Sequence, residues 1–220
     1  MNSQFCLYFP KHGIVYINNP KAGCSTIKRA LTGDYETVGR DFHERCHKKH
    51  LVSDLRKIKK DTPTIFIGRN PVKRFHSCFQ DKIFVPLYRE SIGEKNLMKP
   101  TRMKIINAIR SEFNLPDRAP INIDMFIEFV RNEFESNKAA TVNAHYRPQH
   151  LIIQQTRTTP DFVGRLEDMP DLWEELQSKY SFSAPIKRSD NVSKWKKPLT
   201  SSQISAIQQI YAADMDFLNY

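Results

Sequence analysis

The sequence predicts an α/β sandwich with a central, mostly parallel sheet flanked by helices, and three observations predict it. Short β-branched and aromatic runs at residues 13–18 (GIVYIN) and 64–68 (TIFIG) have the length and composition of buried strands. Each runs directly into turn residues, NNPKAG in one case and RNP in the other, and then into a helical pattern. A third short run at 161–166 (DFVGRL) repeats the order of strand then helix late in the chain. Alternation of this kind buries both faces of a parallel sheet and places ligands at the carboxyl ends of its strands.

The elements follow in order. The opening MNSQFCLYFPKHG lacks a basic segment followed by an apolar one, so it does not read as a signal peptide. After the first strand, STIKRAL carries Ile27, Ala30 and Leu31 at helical spacing, and Gly33 suits the helix stop. Residues 41–60 are rich in His, Lys and Arg; within them LVSDLRKIKK is expected to form an amphipathic helix through Leu51, Leu55 and Ile58. Pro63 ends it. Helices are expected at 72–84, at 103–113 and at 123–135, the last with Asp124 at its start. Residues 86–120 read as a helical insertion or lid on a single domain spanning 1–220. A helix at 172–180, a basic loop at 187–198 and a closing helix at 200–218 complete the chain. The closing helix has Ser201 or Ser202 near its N-cap, and Ile204, Ile207, Ile210, Tyr211 and Phe217 as its apolar stripe.

Composition narrows the class. A chain of 220 residues with 40% hydrophobic and 26% charged residues can bury a core without disulfide or metal staples. Cys6, Cys24, Cys46 and Cys78 form no CxxC pair, which argues against zinc and for free thiols. No apolar run approaches the ~18 residues that span a bilayer. The net charge of +10 favours a polyanionic partner or a phosphate-rich ligand, with a solvated basic surface as the alternative.

Two segments carry chemistry. In NNPKAGCST a strand enters a glycine-containing turn and then a helix, which aims backbone N–H groups at one point. Lys21 adds a charge, Gly23 permits close backbone approach, and Ser25 and Thr26 add hydroxyls in the first helical turn. The order is not that of a Walker A loop, because Lys21 precedes the glycine. In RNPVKRFHS, Arg69 sits at a strand end where its fork suits a phosphate, and Arg74 and Ser77 share a helix face. Two anion sites at two strand ends suit a nucleotide with phosphates at both ends.

These residues resemble the sulfotransferase family, in particular the carbohydrate sulfotransferases of the heparan 2-O, chondroitin and HNK-1 group. The Lys-x-Gly-x-Ser/Thr loop is matched by Lys21, Ala22, Gly23, Cys24, Ser25 and Thr26. The Arg-x-Pro-x-x-Arg-x-x-Ser segment is matched from Arg69 to Ser77, with Asn70 where the family usually has Asp. Weaker likenesses are His145-Tyr146-Arg147-Pro148-Gln149, the strand and turn from Phe162 to Glu167, an Asn-x-Ser loop at Asn191 and Ser193, and a closing helix with Tyr211, Asp214 and Tyr220.

The resemblance implies a P-loop-like three-layer sandwich and transfer of a sulfuryl group from 3′-phosphoadenosine 5′-phosphosulfate to a hydroxyl of a carbohydrate or related acceptor. It assigns the 5′ end to Lys21, Ala22, Gly23, Cys24, Ser25 and Thr26, and the 3′-phosphate to Arg69 and Ser77. Asn191 and Ser193, in a loop with Lys187, Arg188, Lys194, Lys196 and Lys197, would cover the nucleotide. His145 and Arg147 would meet the acceptor, possible acceptors including an anionic glycan. Lys21 is the cation at the leaving oxygen, and no metal is required. The general base falls between the first loop and the second strand, in the order His47, His43, His50. No nucleic-acid partner is expected. The compartment is either the cytoplasm, for the soluble chain as it stands, or the Golgi lumen, for a piece separated from an anchor. The alternatives are a P-loop nucleotide kinase, which the loop order opposes, and a non-catalytic polyanion or nucleic-acid binder, which leaves the paired anion motifs unexplained.

Overall fold

A computed structural model describes residues 5–37, 39–93, 100–138, 141–187 and 198–220. Strands β1 (Cys6–Phe9), β2 (Ile14–Ile17), β3 (Thr64–Gly68) and β4 (Phe162–Arg165) form one sheet in the order β1-β2-β3-β4. β1 pairs antiparallel with β2, while β2, β3 and β4 are parallel. The helices are α1 (Cys24–Thr32), α2 (Gly39–His50), α3 (Pro71–Phe79), α4 (Val85–Ser91), α5 (Pro100–Glu112), α6 (Ile123–Glu133), α7 (Gln149–Thr156), α8 (Asp171–Lys179), α9 (Ser201–Ile210) and α10 (Ala212–Leu218). Among the described residues no helix is long and apolar enough to cross a membrane.

The chain divides into two compact units. One comprises the described residues within Met1–Asn70, Pro148–Val192 and Asp216–Tyr220, and holds the whole sheet. Every residue of β2 and β3 is buried, which is why both read as unbroken apolar runs rather than alternating ones. Ile14 and Tyr16 of β2 and Ile65 and Ile67 of β3 turn to one face, where Ile27 and Leu31 of α1 and Trp173 and Leu176 of α8 cover them. On the other face Phe66 meets Phe217, with ring centroids 6.5 Å apart. The second unit, within Pro71–Arg147 and Ser193–Met215, is helical. Its core stacks Phe75 on Phe126 at 4.7 Å and packs Ile106, Ile109, Val130 and Ile207 around them.

Several elements differ from the sequence expectation. β1 was not expected; a tight turn at residues 10–13, with Gly13 at φ 62°, folds it back along β2. The helix expected at 51–60 lies upstream instead, as α2. Leu51 leaves helical geometry to bridge Leu7, and Val52 N donates to the Cys6 carbonyl at 3.0 Å, so this segment covers the sheet edge. Only Leu55–Lys57 coils, as one 3₁₀ turn capped by Asp54. The closing helix breaks at Tyr211 into α9 and α10, and its N-cap is Thr200, in a reciprocal capping box with Gln203. The expected helices at 72–84 and 123–135 each pass into a π-helical turn, Gln80–Phe84 and Phe134–Lys138. The described parts of 86–120 are filled mainly by α4 and α5. None of the four cysteines is in a disulfide.

Candidate active site

The ends of two neighbouring parallel strands build the site. β2 finishes at Ile17, and the chain turns through Asn18, Asn19, Pro20, Lys21, Ala22 and Gly23 into α1. Lys21 and Gly23 both adopt left-handed backbone, at φ 68° and 69°. Glycine does so freely, whereas for Lys21 the same conformation costs about 1–2 kcal/mol. α1 then opens with no side-chain cap and no acidic residue in its first turn. The first N–H groups of the helix and the positive end of its dipole therefore point toward the loop, an arrangement that attracts an anion.

β3 ends beside β2, and Arg69 follows it. Arg69 Nη1 donates to the Lys21 carbonyl at 2.8 Å, so the two cation-bearing strand ends touch. Gln149, fully buried at the start of α7, holds them from behind. Its Nε2 donates to the Arg69 carbonyl at 2.8 Å, and its Oε1 accepts from the Arg69 amide at 3.0 Å and from Asn19 Nδ2 at 2.7 Å. Asn19 Nδ2 also donates to the Ile67 carbonyl at 3.0 Å. One buried amide pair thus ties the first loop, the end of β3 and α7 together. The Asn70 amide donates to the Glu167 carboxylate at 3.3 Å, which extends the tie to the end of β4.

α2 closes one side. Arg29 of α1 donates to the carbonyls of Asp34 and Thr37, each at 2.8 Å, and its guanidinium lies 4.1 Å over the Phe42 ring. That anchorage sets the next residue, His43, against α1. His43 Nε2 is 3.2 Å from Ser25 Oγ, and Nδ1 is 2.7 Å from Lys28 Nζ. His47, one turn further along, is half-buried; burial first and the Lys28 charge second hold its imidazole down to about 4. Burial lowers His50 too, and its Nδ1 donates to the Tyr8 carbonyl at 2.8 Å while the ring stacks on Phe9 at 4.4 Å. Tyr8 pairs with Val15, so His50 lies along the sheet edge rather than at the loop. Burial raises the Cys46 thiol to about 11, which keeps it protonated.

Of the sequence candidates, Lys21, Ala22, Gly23, Cys24, Ser25, Thr26, Arg69 and His43 sit together in the sheet-bearing unit, with His47 one helical turn away. Ser77 is on α3 in the second unit and is partly buried. His145 is also in that unit, its ring Nδ1 2.7 Å from Asn143 Oδ1. Arg147 is buried there; its Nε donates to the Val142 carbonyl at 3.1 Å and its own carbonyl accepts from Arg74 at 2.8 Å. Burial, and then the charge of Arg74, lower the Arg147 pKa. Asn191 and Ser193 lie outside the described residues, as do Arg188, Lys194, Lys196 and Lys197. Three residues of the site were not among the candidates: Asn19, Lys28 and Gln149. Each had a faint signal: Asn19 opens the turn just after an apolar strand, Lys28 stands three residues from Ser25 on one helix face, and Gln149 closes the His-Tyr-Arg-Pro-Gln likeness.

A family model described as the sulfotransferase family matches residues 6–220. The chain belongs to the sulfotransferase family. Similar relatives of this sulfotransferase chain include human carbohydrate sulfotransferase 9, 28% identical over 176 residues that cover 73% of this chain and 37% of that protein. Mouse carbohydrate sulfotransferase 8 is 24% identical over 175 residues, covering 73% of the chain and 40% of that protein. The human counterpart is likewise 24% identical over 175 residues, with 39% of its length covered. The sulfotransferase chain therefore spans about two fifths of the length of the curated relatives it matches. No solved structure matches it.

Proposed function

We propose that this chain transfers a sulfuryl group from 3′-phosphoadenosine 5′-phosphosulfate to a hydroxyl of a carbohydrate. The contact between Arg69 and the Lys21 carbonyl carries the reading, because it brings cations from two adjacent strand ends to one uncapped helix N-terminus. Such a site favours a nucleotide that is anionic at both ends. Family membership supports the reaction class, and the names of the matched relatives support the acceptor class.

The donor supplies the transferable sulfuryl group. Lys21 neutralises charge that grows on the leaving oxygen, and Ser25, Thr26 and the first N–H groups of α1 hold the 5′ anion in line. Arg69 meets the 3′-phosphate. His47, neutral at pH 7, takes the proton of the attacking hydroxyl; negative charge arriving nearby opposes the field of Lys28 and strengthens the imidazole as a base. Ser77, His145 and Arg147, in the second unit, carry their assignments from the motifs alone, as do Asn191 and Ser193. The charge of +10 suits an anionic glycan as acceptor, with affinity that weakens as salt rises.

Thermal stabilisation by adenosine 3′,5′-bisphosphate but not by ATP, followed by labelled-sulfate transfer into a panel of glycans, tests this. Stabilisation by Mg-ATP with phosphate transfer would reassign the chain as a kinase. Stabilisation by neither nucleotide would leave the loop without its ligand and defeat the proposal.

A further inference from the structure

We propose that Lys28 is a positioning residue that fixes the tautomer of His43 and, through it, the direction of the Ser25 hydroxyl. The inference rests on the sulfotransferase reading only for the identity of the anion that Ser25 meets.

Lys28 is 1% exposed, in the second turn of α1, and its Nζ lies 2.7 Å from His43 Nδ1. An ammonium has three donors and no lone pair, so Nδ1 must accept. A neutral imidazole that accepts at Nδ1 carries its hydrogen on Nε2. Nε2 lies 3.2 Å from Ser25 Oγ, so in this tautomer the ring donates and the hydroxyl oxygen accepts. With a lone pair of Oγ engaged by His43, the hydroxyl hydrogen of Ser25 turns away from the ring. Ser25 stands in the first turn of α1, where the backbone N–H groups already point toward the loop, and its O–H joins that set as a donor to the bound anion. The opposite tautomer, with hydrogen on Nδ1, would set two donors face to face at Lys28 and would draw the Ser25 hydrogen toward Nε2.

This arrangement separates the two histidines on one face of α2. His43 directs a donor in the phosphate loop, and His47, one turn on, is left as the base. Lys28 acts on both: it holds one through a hydrogen bond and lowers the pKa of the other through its charge. A buried lysine on the face of α1 that carries Ser25 is thereby explained, since hydrophobic packing alone would place leucine or methionine there.

Nitrogen-15 spectroscopy of the histidine rings in the full chain, without nucleotide, reads the tautomer directly. His43 is expected as the Nε2–H form, and Lys28→Met is expected to shift it toward the Nδ1–H or the doubly protonated form. A wild-type spectrum showing Nδ1–H overturns the proposal, and needs no variant to fold. So does an unchanged His43 in folded Lys28→Met. Binding of adenosine 3′,5′-bisphosphate supplies the second readout. His43→Gln, whose amide N–H can replace Nε2–H toward Ser25, is expected to keep affinity within about threefold of wild type, while His43→Ala loses about tenfold. Equal losses in the two variants overturn the hydroxyl-directing role. Failure of the bisphosphate to bind the wild-type protein would strike the functional reading instead, and the tautomer measurement would still decide the role of Lys28.

Discussion

Replacing Gln149 by methionine asks whether one buried amide holds the two strand ends together. Methionine nearly matches glutamine in length and volume, so the change opens no cavity and removes only polar contacts. The groups that lose Gln149 include the Arg69 amide at 3.0 Å, the Arg69 carbonyl at 2.8 Å and Asn19 Nδ2 at 2.7 Å. Asn19 Nδ2 keeps the Ile67 carbonyl at 3.0 Å, so the main cost falls on the peptide groups of Arg69. A buried group that nothing satisfies costs about 1–3 kcal/mol, and Arg69 is only half-buried, so water recovers part of it. The expected loss is about 2–4 kcal/mol. At about 2–4 °C per kcal/mol for a chain of this size, the thermal midpoint drops by roughly 5–15 °C. Thermal and urea unfolding measure the loss, and amide exchange at Arg69 locates it. A loss under about 0.5 kcal/mol, with protection at Arg69 unchanged, would show that the strand ends are held by something else.

Other perturbations test neighbouring parts. Lys21→Ala is expected to lower turnover by about a hundredfold or more without shifting the urea midpoint, since the role proposed for the side chain lies in the transition state rather than in the fold; near-normal turnover removes Lys21 from the chemistry. Gly23→Ala forces an L-residue into φ 69° and brings a Cβ within 2.6 Å of Leu166 Cδ1. A loss of about 1–2 kcal/mol is expected from the backbone alone, with the leucine tip swinging aside, and an unchanged urea midpoint would contradict it. The folded imidazole of His47 sits near 4 against an ordinary 6.5, so the unfolded chain binds a proton that the folded chain refuses. Stability is full above pH 6.5 and declines as pH falls toward 4; His12 and His50, also lowered by burial, act in the same direction. His47→Gln should flatten that decline in urea titrations at stepped pH, and an unaltered slope would contradict the burial of the ring.

The parts legible in the sequence were those where one local rule decides. GIVYIN and TIFIG read as buried strands and contain β2 and β3, and Gly33 does end α1, its amide donating to the Arg29 carbonyl at 2.8 Å. The loop at Lys21 and the residue at Arg69 could be marked because strand–turn–helix order fixes where a carboxyl end lies. Other features depended on tertiary partners. Leu51, Leu55 and Ile58 keep a helical spacing, but the bridge from Leu51 to Leu7 satisfies a sheet edge that a helix would leave bare. Thr200 outcompeted Ser201 and Ser202 as cap because Gln203 stands where it can answer it. The clamp of Asn19 and Gln149 joins positions far apart in the chain, and no periodicity reports such a pair. Lys28 reads as an ordinary solvated lysine until α2 is laid across it.

The bond from Arg69 to the Lys21 carbonyl bears on what could replace that arginine. Guanidinium is a flat fork with five N–H groups, so while one edge steadies the neighbouring peptide, charge and donors are still presented in another direction. A lysine at the same place concentrates its donors at a single point on a flexible stem. Bent toward the loop it would turn from the proposed nucleotide, and extended toward that nucleotide it would let go of the twisted peptide at Lys21. Keeping the charge while changing its shape would therefore unsettle the neighbouring strand end as well as its own.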